Sequence, residues 1–400
     1  MRASAGYATR DEILSSLTRN EHGVRSAPAS RSTRLSRLWA RGPNGGRGGT
    51  RATPGSPRPW AVGRGPWPWG GVSRGPRRSP VSFESSHRHA VPRMMTSMSE
   101  TAGALWPALP YEAWKDTYAT LHMWTQVVGK VALARAPRLN HSWANALQVT
   151  PRGLSTRTLA YGAHTFTIEF DFVDHQLVIR ASDGTTRALA LEPRTVADFY
   201  RDVMSMLREM ALPVKIWPMP VEVPSPVRFD QDTTHAAYDP VYAHRFWRII
   251  ARLEPLLNDA RCLFVGKCSP VHFFWGSFDL AVTRFSGRLA PPREGPAFMR
   301  DAYSHEVISH GFWPGGGDVL EPVLYAYAAP EPAGFKDAPV EPAGVFYHQQ
   351  LGEFFLPYDR VRQAADPERA VRSFVDSTYD RAARLAGWDR AVLERESIAT

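Results

Sequence analysis

The stretch TFTIEFDFVDHQLVIRASDGTTRALAL, residues 165–191, decides the fold class. Phe166, Ile168, Phe170 and Phe172 alternate with Thr167, Glu169 and Asp171, the two-residue period of a strand with one buried face. Asp174 with His175, and Asp183 with Gly184, mark the turns of a meander through Leu177 to Ile179 and Ala188 to Leu191. Three antiparallel strands are expected. Upstream, Tyr111 to Val131 places Trp114, Tyr118, Leu121, Trp124, Val127 and Val128 on one helical face, and Leu147 to Thr150 adds a short extended piece. Downstream, Thr195 with Asp198 reads as a capping box with Asp in place of Glu. It opens a helix faced by Val196, Phe199, Tyr200, Val203, Leu207 and Met210 and ended by Pro213.

Pro218, Pro220, Pro224 and Pro226 remove backbone donors and favour an extended path, so this segment reads as a linker between halves. Asp239 and Pro240 then supply the N-cap and first turn of a helix carrying Phe246, Ile249, Ile250, Leu253 and Leu257. A second sheet follows: Val271 to Phe285, His305 to Phe312, Val323 to Ala328, and Val345 to Tyr358 with a hairpin at Gly352. Asp366 and Pro367 open the last helix, with Val371, Phe374, Val375, Tyr379 and Leu385 inward and Gly387 as its stop. The class is α+β, in two consecutive antiparallel-sheet-plus-helix units over 104–217 and 235–390, with a Pro-rich linker at 218–234 and a tail at 391–400.

The halves echo one another. Val128-Gly129-Lys130 followed by His141, Trp143, Val149, Thr150 and Arg152 parallels Val265-Gly266-Lys267 followed by His272, Trp275, Val282, Thr283 and Arg284. Gap lengths differ, so the similarity reads either as an internal duplication or as chance among aromatic-rich strands.

Charge is distributed very unevenly over the 400 residues. Residues 1–93 hold seventeen Arg, no Lys and four acids, whereas the remainder carries 31 basic and 35 acidic groups. The basic excess therefore belongs to a leader rich in Gly, Pro, Arg and Trp, which is expected to be disordered, and no nucleic-acid partner is expected for the folded part. The leader lacks the apolar core of a secretory signal; it reads as a transit peptide or, preferentially, as sequence upstream of a true start at Met94, Met95 or Met98. Cys262 and Cys268 fit neither a disulfide framework nor a zinc spacing, which suits a reducing, cytoplasmic setting. The most apolar run, Val271 to Val282, is broken by His272, Ser277 and Asp279 and falls short of the about 18 residues of a membrane span, so no membrane partner is expected.

Chemistry concentrates in GKCSPVHFFWGSFDLAVTRFSG, residues 266–287. Read as one strand, it puts Phe274, Phe278, Leu280 and Val282 on a core face and Trp275, Ser277, Asp279, Ala281 and Thr283 opposite, bordering a polar cavity or facing solvent. His272 precedes that face, and Arg284 ends it, either gripping an anion or pairing with Asp279 or another acid. Ser304, His305 and Glu306 run into Gly311-Phe312-Trp313-Pro314-Gly315-Gly316-Gly317, a glycine loop without a nucleotide-binding pattern. His305, Glu306 and His310 miss the HExxH spacing, so no metal is assigned, and no cofactor is named. Trp-Gly-Ser-Phe-Asp at 275–279 is not a nucleophile elbow. The leading expectation is a small-molecule pocket in the second unit, lined by His272, Trp275, Ser277, Asp279, Arg284, His305, Glu306 and Trp313, for a polar-aromatic, anionic or hydroxylated ligand. The competing expectations are a hydrolase using His272 or His305 with Asp279 or Glu306, and an assembly protein with an aromatic interface.

At the blocks WPALPYEAW, TLHMWTQVVGK, SPVHFFWGSFDLAVTRFSGR, SHEV, GFWPGGG and LPYD the chain resembles a bacterial family, domain-of-unknown-function family 5996, a likeness that covers roughly residues 104–390. The resemblance implies a bacterial cytoplasmic protein and implies no reaction, cofactor or catalytic residue. It does not extend over residues 1–93, which favours the late start.

Overall fold

A computed structural model describes residues 105–292, 294 and 297–395. The leader 1–93 lies outside these residues.

The first half opens with α1 (Tyr111–Arg135), followed by β1 (Gln148–Val149), β2 (Gly153–Ser155), β3 (Leu159–Tyr161), β4 (His164–Asp171), β5 (Gln176–Ala181), β6 (Thr186–Ala190) and α2 (Val196–Glu209). The second has α3 (Pro240–Cys262), β7 (His272–Phe274), β8 (Asp279–Leu289), α4 (Ala297–Ala302), β9 (His305–Trp313), β10 (Val323–Ala329), β11 (Phe346–His348) and β12 (Glu353–Pro357). It closes with α5 (Tyr358–Arg362), α6 (Pro367–Leu385) and α7 (Arg390–Leu393). Both sheets are antiparallel, so the class is α+β. Their orders are β1-β2-β4-β5-β6, with β3 beside β4, and β11-β12-β10-β9-β8-β7.

Alternation sets which face is buried. Ile168 stands opposite Ile179, and Leu280 opposite Phe312, which in turn stands opposite Leu324. These side chains share one core with Trp124 of α1, Phe199 of α2, Ile250 of α3 and Phe374 of α6. The four helices therefore cover one face of both sheets, and the intervening residues point to the other. On that other face the first sheet is polar, with Arg180 Nη1 at 2.7 Å from Glu169 Oε2. The second carries a separate apolar cluster of Ala281, Val319, Val323, Tyr325 and Phe355.

The sheets meet edge to edge. Leu147 N–H donates to Phe273 O at 2.9 Å and Phe273 N–H to Leu147 O at 2.8 Å, a single antiparallel bridge between the residue preceding β1 and the middle of β7.

Helix starts follow the caps read in the sequence. Thr195 Oγ1 accepts from Asp198 N, Asp239 from Val241 N and Tyr242 N, and Asp366 from Arg369 N, each satisfying a first-turn amide. At Thr195 the box is incomplete, because the Asp198 carboxylate accepts the Thr195 hydroxyl instead of reaching back to a backbone amide.

Two expectations are corrected. The run from Val271 to Phe285 is a hairpin, not one strand, because the turn Trp275 to Phe278 intervenes, with Phe278 in the left-handed region at φ 58°. In addition, α1 is buried beyond its single apolar face, with Thr120, His122, Thr125, Gln126 and Lys130 all enclosed. The 275–278 turn and the Pro-rich segment lie against its polar side: His122 Nε2 reaches Gly276 O at 2.7 Å, and Gln126 both donates to Val221 O and accepts from Val221 N at 2.7 Å. None of the helices in the described residues is long and apolar enough to cross a membrane.

Candidate functional site

The 275–278 turn divides the polar face imagined for one strand. Trp275 turns toward the helices, where its ring lies so close to Gly129 that a Cβ there would sit 2.2 Å from it, and its Nε1–H donates to Asn145 O at 2.9 Å. Phe278 is also buried, packing on Phe246 and Phe273. Ser277 and Asp279 remain together on the opposite side. The Ser277 hydroxyl donates to Asp279 Oδ1, and the Tyr325 hydroxyl, arriving from β10, donates to Asp279 Oδ2.

This carboxylate is nearly enclosed, at 8% exposure. Charge-assisted bonds from two hydroxyls offset part of its lost hydration. The approach of Tyr325 depends on Gly311 in the intervening strand, since a Cβ there would meet the tyrosine hydroxyl at 2.4 Å. Burial, and then the neighbouring Asp279, hold the Tyr325 hydroxyl well above its usual pKa, so it stays a donor. Around this centre, Tyr327 lies near-parallel to Tyr325 with ring centroids 6.1 Å apart, and the Tyr303 and Tyr327 hydroxyls are 3.1 Å apart. Phe274 and Trp313 are half-buried against the same cluster.

Of the other expected residues only His272 shares this face, and Arg284, His305 and Glu306 lie elsewhere. His272 is buried on the Asp279 face with its ring 4.5 Å from Phe274, and neither ring nitrogen has a protein hydrogen-bond partner. Burial, aided by Arg157 and Arg261, pushes its pKa down to about 3. Arg284 points the opposite way, into the helix-covered face. It meets no carboxylate there: Nη2–H donates to Ala260 O at 2.7 Å and the guanidinium lies 4.3 Å from the Tyr379 ring. The expected pairing with Asp279 is thus corrected, because residues 279 and 284 are five apart and a strand sends such positions to opposite faces. Glu306 accepts from Ser286 and Arg288 at the sheet edge, and His305 Nδ1 lies 3.1 Å from Ser304 Oγ. No hydrogen bond among the described residues joins a histidine to Ser277. Nor does any group of three His, Cys, Asp or Glu among them stand where it could hold a metal ion.

Sequence reasoning missed the tyrosines and one polar cluster. In Val323 to Ala329 the alternation already puts Tyr325 and Tyr327 on one face, but only the pairing of β10 with β9, and of β9 with β8, brings Tyr325 to Asp279. The missed cluster centres on His141, at φ 55°. Its Nε2 accepts from Lys267 Nζ at 2.6 Å, its Nδ1 donates to Asp301 O at 2.9 Å, and its backbone N–H donates to Asp301 Oδ2 at 2.7 Å. Lys267 Nζ lies 4.9 Å from the Phe285 ring centroid, and burial lowers its pKa. The paired Gly-Lys and His-Trp motifs signalled these residues without showing that they meet.

A family model described as "Family of unknown function (DUF5996)" matches residues 106–395. No curated protein and no solved structure matches the chain.

Proposed function

We propose, from the premise that this chain belongs to the family of unknown function DUF5996, that it binds a small hydroxylated or amine-bearing molecule at Asp279 on the face of the second sheet away from the helices. The observation that carries this reading is the nearly enclosed Asp279 carboxylate, held by Ser277 and Tyr325 amid half-buried aromatic rings. Convergent polar groups beside aromatic rings supply the orienting and apolar contacts that a small-molecule site uses. A carboxylate anchor favours a donor-rich ligand over the anionic one also considered from sequence, and Trp313 and Tyr327 would wall its apolar part.

The test is native mass spectrometry of the purified full chain for a co-purified small molecule, with titration of tyramine followed by tryptophan fluorescence. Saturable quenching that Asp279→Asn weakens about tenfold, with unchanged circular dichroism, is expected for loss of one charge-assisted contact. A ligand-free protein that tyramine leaves unquenched would remove the reading. Dimerisation blocked by Trp313→Ala, without ligand binding, would replace it with assembly.

The two-unit, duplicated organisation belongs to the same reading. It is supported by the shared order helix, six-stranded antiparallel sheet, helix, and by contacts of each Gly-Lys pair with the other half's tryptophan, Gly129 packing on Trp275 and Lys267 lying 5.6 Å from the Trp143 ring centroid. A superposition in which α1 and β1 fall away from α3 and β7 would sink it. A cytoplasmic setting rests on the two free thiols, Cys262 and Cys268.

A further inference from the structure

An open surface depression of about 610 Å³ lies over the first turns of α3, where Pro240 and Val241 are exposed. His175, His244, Arg245 and Arg248 line it together with Pro107, Ala108, Pro240 and Val241, and no carboxylate is among these residues. Two guanidiniums and two imidazoles thus converge on a space large enough for a small metabolite, with an apolar wall beside them; burial lowers the pKa of both histidines, so the fixed positive charge is that of Arg245 and Arg248 and the imidazoles act as neutral donors.

Little in the described protein neutralises the two guanidiniums. Arg248 has no hydrogen-bond or ion-pair partner among the described residues, and Arg245 makes one long hydrogen bond, 3.4 Å, to Ala108 O beside a cation–π contact with Tyr242. The nearest acids are committed elsewhere. Asp171 and Asp174 both pair with Arg152, and Asp239 accepts from Val241 N and Tyr242 N as the cap of α3. That cap already satisfies the first amides of the helix, so the preference of the depression comes from its side chains.

His175 adds a geometric observation. It occupies the left-handed region, φ 52°, in the turn between β4 and β5, a conformation that costs a β-carbon residue energy and is concentrated at functional positions. Its Nδ1 lies 2.8 Å from Tyr238 Oη, which fixes the ring at the wall of the depression. His244 is braced against Trp247, ring centroids 5.2 Å apart, and Trp247 is anchored by its Nε1–H donating to Thr150 O at 3.1 Å.

We infer that this depression is a binding site for a small phosphate monoester, with Arg245 and Arg248 gripping the phosphate, His175 and His244 donating to it, and Pro107, Ala108, Pro240 and Val241 receiving the organic part. Two guanidinium forks match the geometry and charge of a phosphate dianion, and the prolines offer a rigid apolar surface. The site stands independently of the Asp279 reading, because the two share no residue.

Isothermal titration of the full chain with phenyl phosphate tests it, alongside inorganic phosphate and citrate. The Arg-rich leader could also collect anions, so variants decide the location. Phenyl phosphate is expected to bind at one equivalent, more tightly than inorganic phosphate, and Arg245→Gln/Arg248→Gln to weaken it at least about tenfold, while Arg208→Gln on α2 leaves it unchanged. If the double variant does not fold, Arg248→Gln alone, which removes no hydrogen bond from the described protein, is the substitute and should lose several-fold. Absence of phenyl phosphate binding, binding indifferent to Arg248, or saturable binding of citrate without phenyl phosphate would each overturn the proposal.

Discussion

At Gly129 one hydrogen atom separates a packed core from a collision. Alanine normally favours a helix by about 1 kcal/mol over glycine, yet here its methyl would enter the Trp275 ring. Gly129→Ala is therefore expected to destabilise the chain by about 1–3 kcal/mol in urea unfolding, reversing the propensity. His272 supplies a prediction of a different kind. Its folded pKa, about 3, lies below the unfolded value near 6.5, so the unfolded chain binds the extra proton and stability falls as pH drops through that window. Between pH 7 and pH 5 the loss is about 2 kcal/mol from this residue. His272→Leu should flatten that part of the profile and cost little at pH 7, because the imidazole has no protein hydrogen-bond partner. A profile unchanged by the substitution would show that the proton uptake lies elsewhere. Of the site, Ser277 and Asp279 were legible because their partnership is local in the chain. Tyr325 was not, since its contact spans two strand registers, and Trp275 was misplaced because a four-residue turn inverted the alternation on which its side depended.

Among the elements, helix beginnings were the most readable. Thr195, Asp239 and Asp366 announce themselves because a cap satisfies amides within three residues and needs no tertiary information. Asp366→Ala is expected to cost about 1 kcal/mol, measured as a lowered urea midpoint with an unchanged slope. The full burial of α1 was unreadable for the converse reason. Its enclosed polar residues look like a solvent face until the Pro-rich segment and the 275–278 turn are laid against them. Gln126 is the fastening, pairing through both ends of its amide with the Val221 backbone. Gln126→Leu should release that segment and raise amide exchange over residues 219–223, leaving β4 and β5 protected. Equal exchange in both proteins would mean that the prolines alone hold the path.

For the molecule as a whole, α+β class and two antiparallel sheets were legible from alternation and caps, whereas the joining of the sheets was not. Nothing in the residue pattern announces that Leu147 will meet Phe273, because main-chain pairing leaves no side-chain signature. Phe273 is fully buried at that junction, among side chains of both halves. Phe273→Ala is expected to cost about 3–5 kcal/mol, with circular dichroism and tryptophan fluorescence reporting one coincident transition. Two separated transitions would show that the halves melt alone.

The same junction bears on any attempt to divide the chain. Leu147 occupies the free hydrogen-bonding border of β7 at Phe273, while β11, at the far side of the second sheet, is only three residues long. A fragment cut between the halves would lay bare a ready template for recruiting further chains, so its natural fate in solution is self-association or precipitation.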